Sequence, residues 1–499
     1  MSKNRTFTSI LITIAKAMAL MSSLLIAVAL SRLLEKEVYG AFRQVLVLYV
    51  MAAMVFRVGV PQSIYYFLPR LNAHEQRGFV SQSLFLLVLQ GTVFGLFLYL
   101  GADLIEKEWN SPNLSSYLKV FALYPIFMLP VMAVENVLMV FNKVWTVVVF
   151  NVLTKLAAAF GVIITAYLGY SLELALGVWV SVAFVSLIVA LWLMFSVTSG
   201  PLLNIKWSYV KEQLSYVYPF CIAAILGALG LHADKVATNY LTGAAGFAEY
   251  SNGAFELPFV GVVTGAVTMT LMTPMVQYAK DNHIDKFLGL WHRSQLKVAF
   301  ALFGMFGFFF FFAKEVIIVL FGIQYESSYI IFQIFLLLIP TRISSFANVM
   351  VPLGRRWVYA GSHLIQLLVA YPLCFFLYQY GELTGIAIGL VTAVYTNIFI
   401  LGFGMKKIMN IPFGQIWLFP NLFKNIAVAL ISGAASYFIL PSPSSQSIIE
   451  LLAFLIAGFT IYSLLYLGLS NVLKIFDFKE FLSLLPFQTG TSLKTSAAD

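Results

Sequence analysis

Runs of about 20 apolar residues, parted by short polar stretches, recur along almost the whole chain. A helix needs about that length to cross a bilayer. Alternation of apolar and polar residues over about ten positions, the mark of a membrane barrel strand, is absent. The pattern predicts fourteen helical spans, near 9–31, 42–67, 80–103, 117–141, 144–168, 173–196, 215–234, 246–276, 296–321, 329–352, 357–379, 383–405, 422–440 and 448–470. The first run is longer than the core of a cleaved signal peptide, and a second span follows at once, so it reads as a retained helix. The expected fold is an all-α polytopic membrane protein.

The longest internal connection, "SVTSGPLLNIKWSYVKEQ", separates spans 6 and 7 and reads as a joint between two six-helix lobes. A faint internal echo agrees. "LLEKEVYGAF" before span 2 resembles "LTGAAGFAEYSNGAF" before span 8, and Pro61 and Pro274 follow at similar distances. Repeated halves are common in transporters. "PSPSSQS" is a turn signal that splits a final helix pair. The expected organisation is an N-terminal lobe over 1–200, a C-terminal lobe over 201–410, a helix pair over 411–470, and an interfacial helix with a disordered tail over 471–499.

Composition sharpens this picture. Of 499 residues, 61% are hydrophobic and only 10% charged. Soluble domains carry about 25% charged residues, so a cytosolic enzyme, a secreted disulfide scaffold and a disordered chain are all excluded. The net charge of +9 belongs mostly to loops on one side of the spans. By the positive-inside rule, that side is cytoplasmic and holds both termini. The basic excess therefore reports orientation and not nucleic-acid binding.

Six ionisable residues fall inside predicted spans: Lys16, Arg57, Glu135, Lys155, Glu256 and Arg342. Asp234 and Lys235 stand at the outer end of span 7. A charge at a helix centre costs roughly 2.5–3.5 kcal/mol when it faces lipid, so these groups are expected to face one another or water. Four cations against two carboxylates make that interior basic. Arg57, Lys155, Arg342 and Lys16 are the candidates for binding an anionic substrate. Glu135, Glu256, Asp234 and Lys235 are the candidates for ion coupling or gating. The ordinary readings are a snorkelling Lys16, an Arg57–Glu135 bridge, and a structural cap at Asp234–Lys235. Proline and glycine within spans supply breaks and bends, among them Gly59, Pro61, Pro258 and Pro340. No Walker A motif, HExxH or Cys/His cluster is present, so neither an ATP site nor a metal or other cofactor is expected. No long outer loop offers a place for catalytic groups, and an enzyme is not expected.

The segments "ALSRLLEKEVYGAFRQVLVLY", "FRVGVPQSIYYFLPR", "HADKVATNYLTGAAGFAEYSNGAFELP" and "LFGIQYESSYIIFQIF" resemble the Wzx-type polysaccharide flippases. That group belongs to the multidrug/oligosaccharidyl-lipid/polysaccharide (MOP) exporter superfamily. The resemblance implies two pseudo-related lobes around a central cavity in the bacterial inner membrane. It also implies export of undecaprenyl-diphosphate-linked repeats of O-antigen, capsule or exopolysaccharide. Membrane lipids are implied partners, with Na⁺ or H⁺, a polysaccharide polymerase and other assembly proteins as further candidates. The rival readings are a cation-coupled multidrug antiporter of the same superfamily, a membrane glycan polymerase or ligase, and a non-transporting scaffold.

Overall fold

The computed structural model describes residues 21–475, except 57–58, 203–209, 212, 214–224, 226–228, 351–352, 354 and 444. Among these residues the protein is helical throughout, with no strand. Eight helices are long and apolar enough to cross a membrane, and the bent pair Leu114–Phe121 and Tyr124–Val140 makes a ninth. Helix ends follow local chemistry. Ser171 and Ser447 cap the first turns of Leu172–Val197 and Ile448–Val472 through their hydroxyls. Asn142, Asn282 and Asn410 take the left-handed conformation where helices stop, a role asparagine fills better than most residues.

Several expected spans appear intact. Val144–Tyr167, Leu172–Val197, Phe419–Ile439 and Ile448–Val472 match the predicted spans 5, 6, 13 and 14. Spans 11 and 12 form Arg356–Met409, which folds back at Glu382 with φ 47°. Other spans are broken. The expected span over 42–67 starts earlier, as Lys36–Phe56, and resumes after Gly59 as the short helix Val60–Phe67. Span 4 bends by 42° between Leu114–Phe121 and Tyr124–Val140. Span 10 becomes Ser328–Leu336, a 3-10 turn over Ile339–Ile343 and the turn Ala347–Met350. Pro340 starts that 3-10 turn, since a ring without an N–H fits a first turn and not an α-helix interior.

One boundary differs in a way that matters. The sequence reading ends span 7 at Asp234, but helix continues to the Gly243 kink, where φ is 65° and ψ −162°. Asp234 and Lys235 therefore stand in the first turn of Ala233–Gly253, about 14 Å before the Gly243 kink at 1.5 Å per residue. The segment "KVATNYLT" is too mixed in polarity to register as a span, because it is buried by protein rather than by lipid.

The N-terminal half meets the C-terminal half through Lys36–Phe56, which packs most extensively on Ala233–Gly253. These helices contain the two echoed sequence segments. Backbones approach so closely that a Cβ on Gly40 would stand 1.9 Å from the Ala244 carbonyl oxygen. The polar contacts here are dense. Lys36 Nζ lies 2.8 Å from Glu249 Oε2. The buried Tyr39 hydroxyl donates to Asn252 Oδ1 at 2.7 Å, and Arg43 donates to the Ser251 carbonyl at 2.9 Å. Arg32 donates to the carbonyls of Ile318, Val319 and Leu320 at the end of the helix Ala313–Phe321. We call this region the joined end. Elsewhere, buried Gln213 donates to Ser63 and Ser83, each at 3.0 Å.

Candidate functional site

Two helix breaks place the best-defined charge pair. Ala233–Gly253 stops at Gly253, and Pro258 opens the next helix, Pro258–Lys280, so Glu256 sits in the gap. Arg342 sits in the 3-10 turn Ile339–Ile343 that Pro340 begins. The two gaps face each other. Arg342 Nε lies 2.9 Å from Glu256 Oε1, while Nη2 donates to Oε2 at 3.4 Å. The Nε–H is not directed at its neighbour, so the contact is an ion pair with one long hydrogen bond and not a bidentate fork. The side chains remain 35% and 50% exposed. Each therefore keeps donor or acceptor capacity for a ligand, and the pair is neutral as it stands.

Lys155 occupies different surroundings. It lies on Val144–Tyr167 and lines a cavity of about 70 Å³ with Ser22, Ser23, Tyr124, Thr154 and Trp179. It has no carboxylate partner among the described residues. The cavity is large enough for a few waters or a small ion and lies within the N-terminal half. The sequence predicts that Lys155 and Arg342 share one chamber; no described cavity or contact joins them. Arg57 and Lys16 lie outside the described residues.

Asp234 is fully buried. The Tyr250 hydroxyl donates to its Oδ2 at 3.0 Å, while Oδ1 makes no well-aligned hydrogen bond and the backbone amides of Asp234 and Lys235 lie close to the carboxyl. Lys235, Tyr371 and Cys374 lie within electrostatic reach. A buried carboxyl with one oxygen short of a well-aligned hydrogen bond is a place for a proton or a small cation. Glu135 is partly buried, near Tyr65, without a hydrogen bond or ion pair among the described residues. Among these residues no three His, Cys, Asp or Glu side chains cluster as metal ligands.

Sequence reasoning missed the joined end as an interface between the halves. Arg32, Lys36 and Arg43 read there as loop charges that report orientation. The echoed segments were the available signal, since both repeats carry a tyrosine and each tyrosine makes a buried polar contact. The Gln213 cluster had no signal in the sequence, because Gln213 closes the polar connection between spans 6 and 7 and nothing there says which serines it meets.

The chain matches the family described as "Polysaccharide biosynthesis protein" over residues 5–277, more than half its length. No curated protein sequence matches it. Among solved structures, the lipid II flippase MurJ in an inward closed conformation aligns with TM-score 0.70 and 13% identity. That match covers 94% of this chain and all of MurJ. An inward-facing multidrug resistance MATE family transporter of the MOP superfamily aligns with TM-score 0.59 and 12% identity, over 79% of this chain and 95% of its own. A MOP superfamily transporter from Pyrococcus furiosus, described by a reversed polarity of its binding pocket, aligns with TM-score 0.53 and 13% identity, over 81% and 96%. At these identities the likeness establishes the fold. The chain is a multi-pass membrane protein with the MOP transporter fold, and it belongs to the polysaccharide biosynthesis protein family.

Proposed function

We propose that this protein flips an undecaprenyl-diphosphate-linked oligosaccharide, a repeat unit of O-antigen, capsule or exopolysaccharide, from the inner to the outer leaflet of the bacterial inner membrane. The observation that carries the reading is Arg342 and Glu256, held half exposed in facing helix breaks within an otherwise apolar bundle. Lipid-facing placement of such charges is costly, so in this reading their exposed faces open on a hydrated path for a polar cargo. A sugar hydroxyl drawn bare through lipid costs roughly 2–7 kcal/mol, so the headgroup needs a hydrated path while its tail stays in the bilayer. Family membership supports a glycan as the cargo.

In this reading both termini are cytoplasmic and the joined end faces outward. Residues 1–200 and 201–410 act as the rocking halves, with 411–470 as an accessory pair. Arg342 leaves Glu256 for the substrate diphosphate, which prefers fixed cationic partners; Lys155, Arg57 and Lys16 add positive potential. With the cytoplasm negative, outward movement of about two negative charges gains roughly 4–5 kcal/mol at 100 mV. Asp234 takes up the Na⁺ or H⁺ that resets the cycle, with Lys235, Glu135 and Glu256 as auxiliary gating groups.

Cells lacking the protein should accumulate lipid-linked repeat on the inner leaflet and lose surface glycan. The wild-type gene should restore export, and R342A, expressed at an equal level, should restore less than a tenth of it. Normal surface glycan in the deleted cells, with no second exporter present, refutes the assignment.

A further inference from the structure

The helices Val144–Tyr167 and Leu172–Val197 pack side by side and leave a groove of about 660 Å³ between them. Its walls are almost wholly carbon, from Val149, Leu153, Ala157, Val182, Val185 and Val189. From Thr146 to Ala157 it runs about 17 Å at 1.5 Å per residue, close to one leaflet of a hydrocarbon core about 30 Å thick.

The two ends of the groove differ. At one end, Thr146 and Leu193 also line a second cavity of about 380 Å³, whose walls include Lys143 and Ser196. Lys143 is exposed and has no ion-pair partner among the described residues. Trp145 stands beside it, 65% exposed, as tryptophan does at a membrane–water boundary. At the other end, Thr154 and Val182 also line the Lys155 cavity.

We propose that this groove binds an anionic glycerophospholipid, with one acyl chain between the two helices and its phosphate against Lys143, Thr146 and Ser196. An apolar slot one leaflet long, opening at the interface onto a single lysine and two hydroxyls, matches one chain and one phosphate. A polyprenyl carrier would present a chain several times longer than the slot. The bound chain would also complete the wall that separates Lys155 from the bilayer.

The full-length protein, reconstituted in vesicles of equal parts phosphatidylglycerol and phosphatidylcholine, is extracted into detergent, and the retained lipid is identified by native mass spectrometry. Wild type should retain phosphatidylglycerol over phosphatidylcholine by about fivefold, the worth of one lysine beside an anionic lipid. K143Q, at an exposed position, should fold normally and lose that preference. V185W, which fills the slot, should lose retained lipid of both kinds; where it fails to fold, K143Q alone decides. Equal retention of the two lipids by wild type, or an unchanged preference in K143Q, overturns the proposal. Displacement of phosphatidylglycerol by added undecaprenyl phosphate at an equal mole fraction also overturns it, in favour of the carrier lipid.

Discussion

At the scale of single residues, Asp234 shows what hydropathy can and cannot reveal. Its type and its cost in lipid were plain from the sequence, as they were for Glu256, Arg342 and Lys155. How far the helix runs beyond it was not, because residues 235–242 are too polar to read as a span. They form helix packed on other protein helices, with Ala237 and Leu241 in one apolar cluster with Ile331, Cys374 and Ile386. Hydropathy measures the solvent a helix prefers, and it loses its meaning where the solvent is another helix. The same limit hid the partner of Arg342, because pairing depends on two breaks meeting across 86 residues of chain. Asp234→Asn keeps the acceptor that Tyr250 uses and removes the charge and the exchangeable proton. It should leave the melting temperature within a few degrees of wild type while lowering export at least tenfold and abolishing any dependence on Na⁺ or pH. Full ion-dependent export in D234N would take the coupling role away from this carboxyl.

At the scale of elements, the helices that cross cleanly were legible and those that break were not. Val144–Tyr167 and Ile448–Val472 are apolar along their length and pack on neighbouring apolar helices, so composition sets their bounds. Ser328–Leu336 and the turn after it contain an equally apolar run, yet Pro340 and the Arg342–Glu256 pair divide it. Close approach also depends on single positions. Gly91 and Gly95, one turn apart on Ala73–Glu108, lie against the carbonyls of Pro125 and Ala122; small residues at that spacing let membrane helices touch. Gly40 does the same between the halves. Gly40→Val forces Lys36–Phe56 away from a backbone carbonyl that has no slack. Overpacking of this kind costs about 1–3 kcal/mol. It should appear as a lower melting temperature in detergent, with less export at equal expression. An unchanged melting temperature would show that the two helices separate more readily than their contact implies.

At the scale of the whole molecule, the described hydrogen bonds between the halves concentrate at the joined end, so the rocking proposed above requires that they break. Cysteines at positions 36 and 249 test this. The natural chain has only Cys221 and Cys374, and Cys374 is fully buried. K36C/E249C bridged by a reducible bis-methanethiosulfonate reagent should hold the ends together and stop export, and a reductant should restore it. Export that continues with the crosslink complete would place the moving surface elsewhere. The joined end also has a consequence for thermodynamics. Glu249, Ser251 and Asn252, which fasten the halves, share one helix with Asp234, and Tyr250 among them bonds that acid directly. In the proposed cycle, the ion that Asp234 takes up acts on Tyr250 and hence on its neighbours. Linkage is reciprocal: by whatever factor occupancy loosens the fastening, unfastening strengthens occupancy. The cell's ion gradient can then be read as a torque applied at one tyrosine.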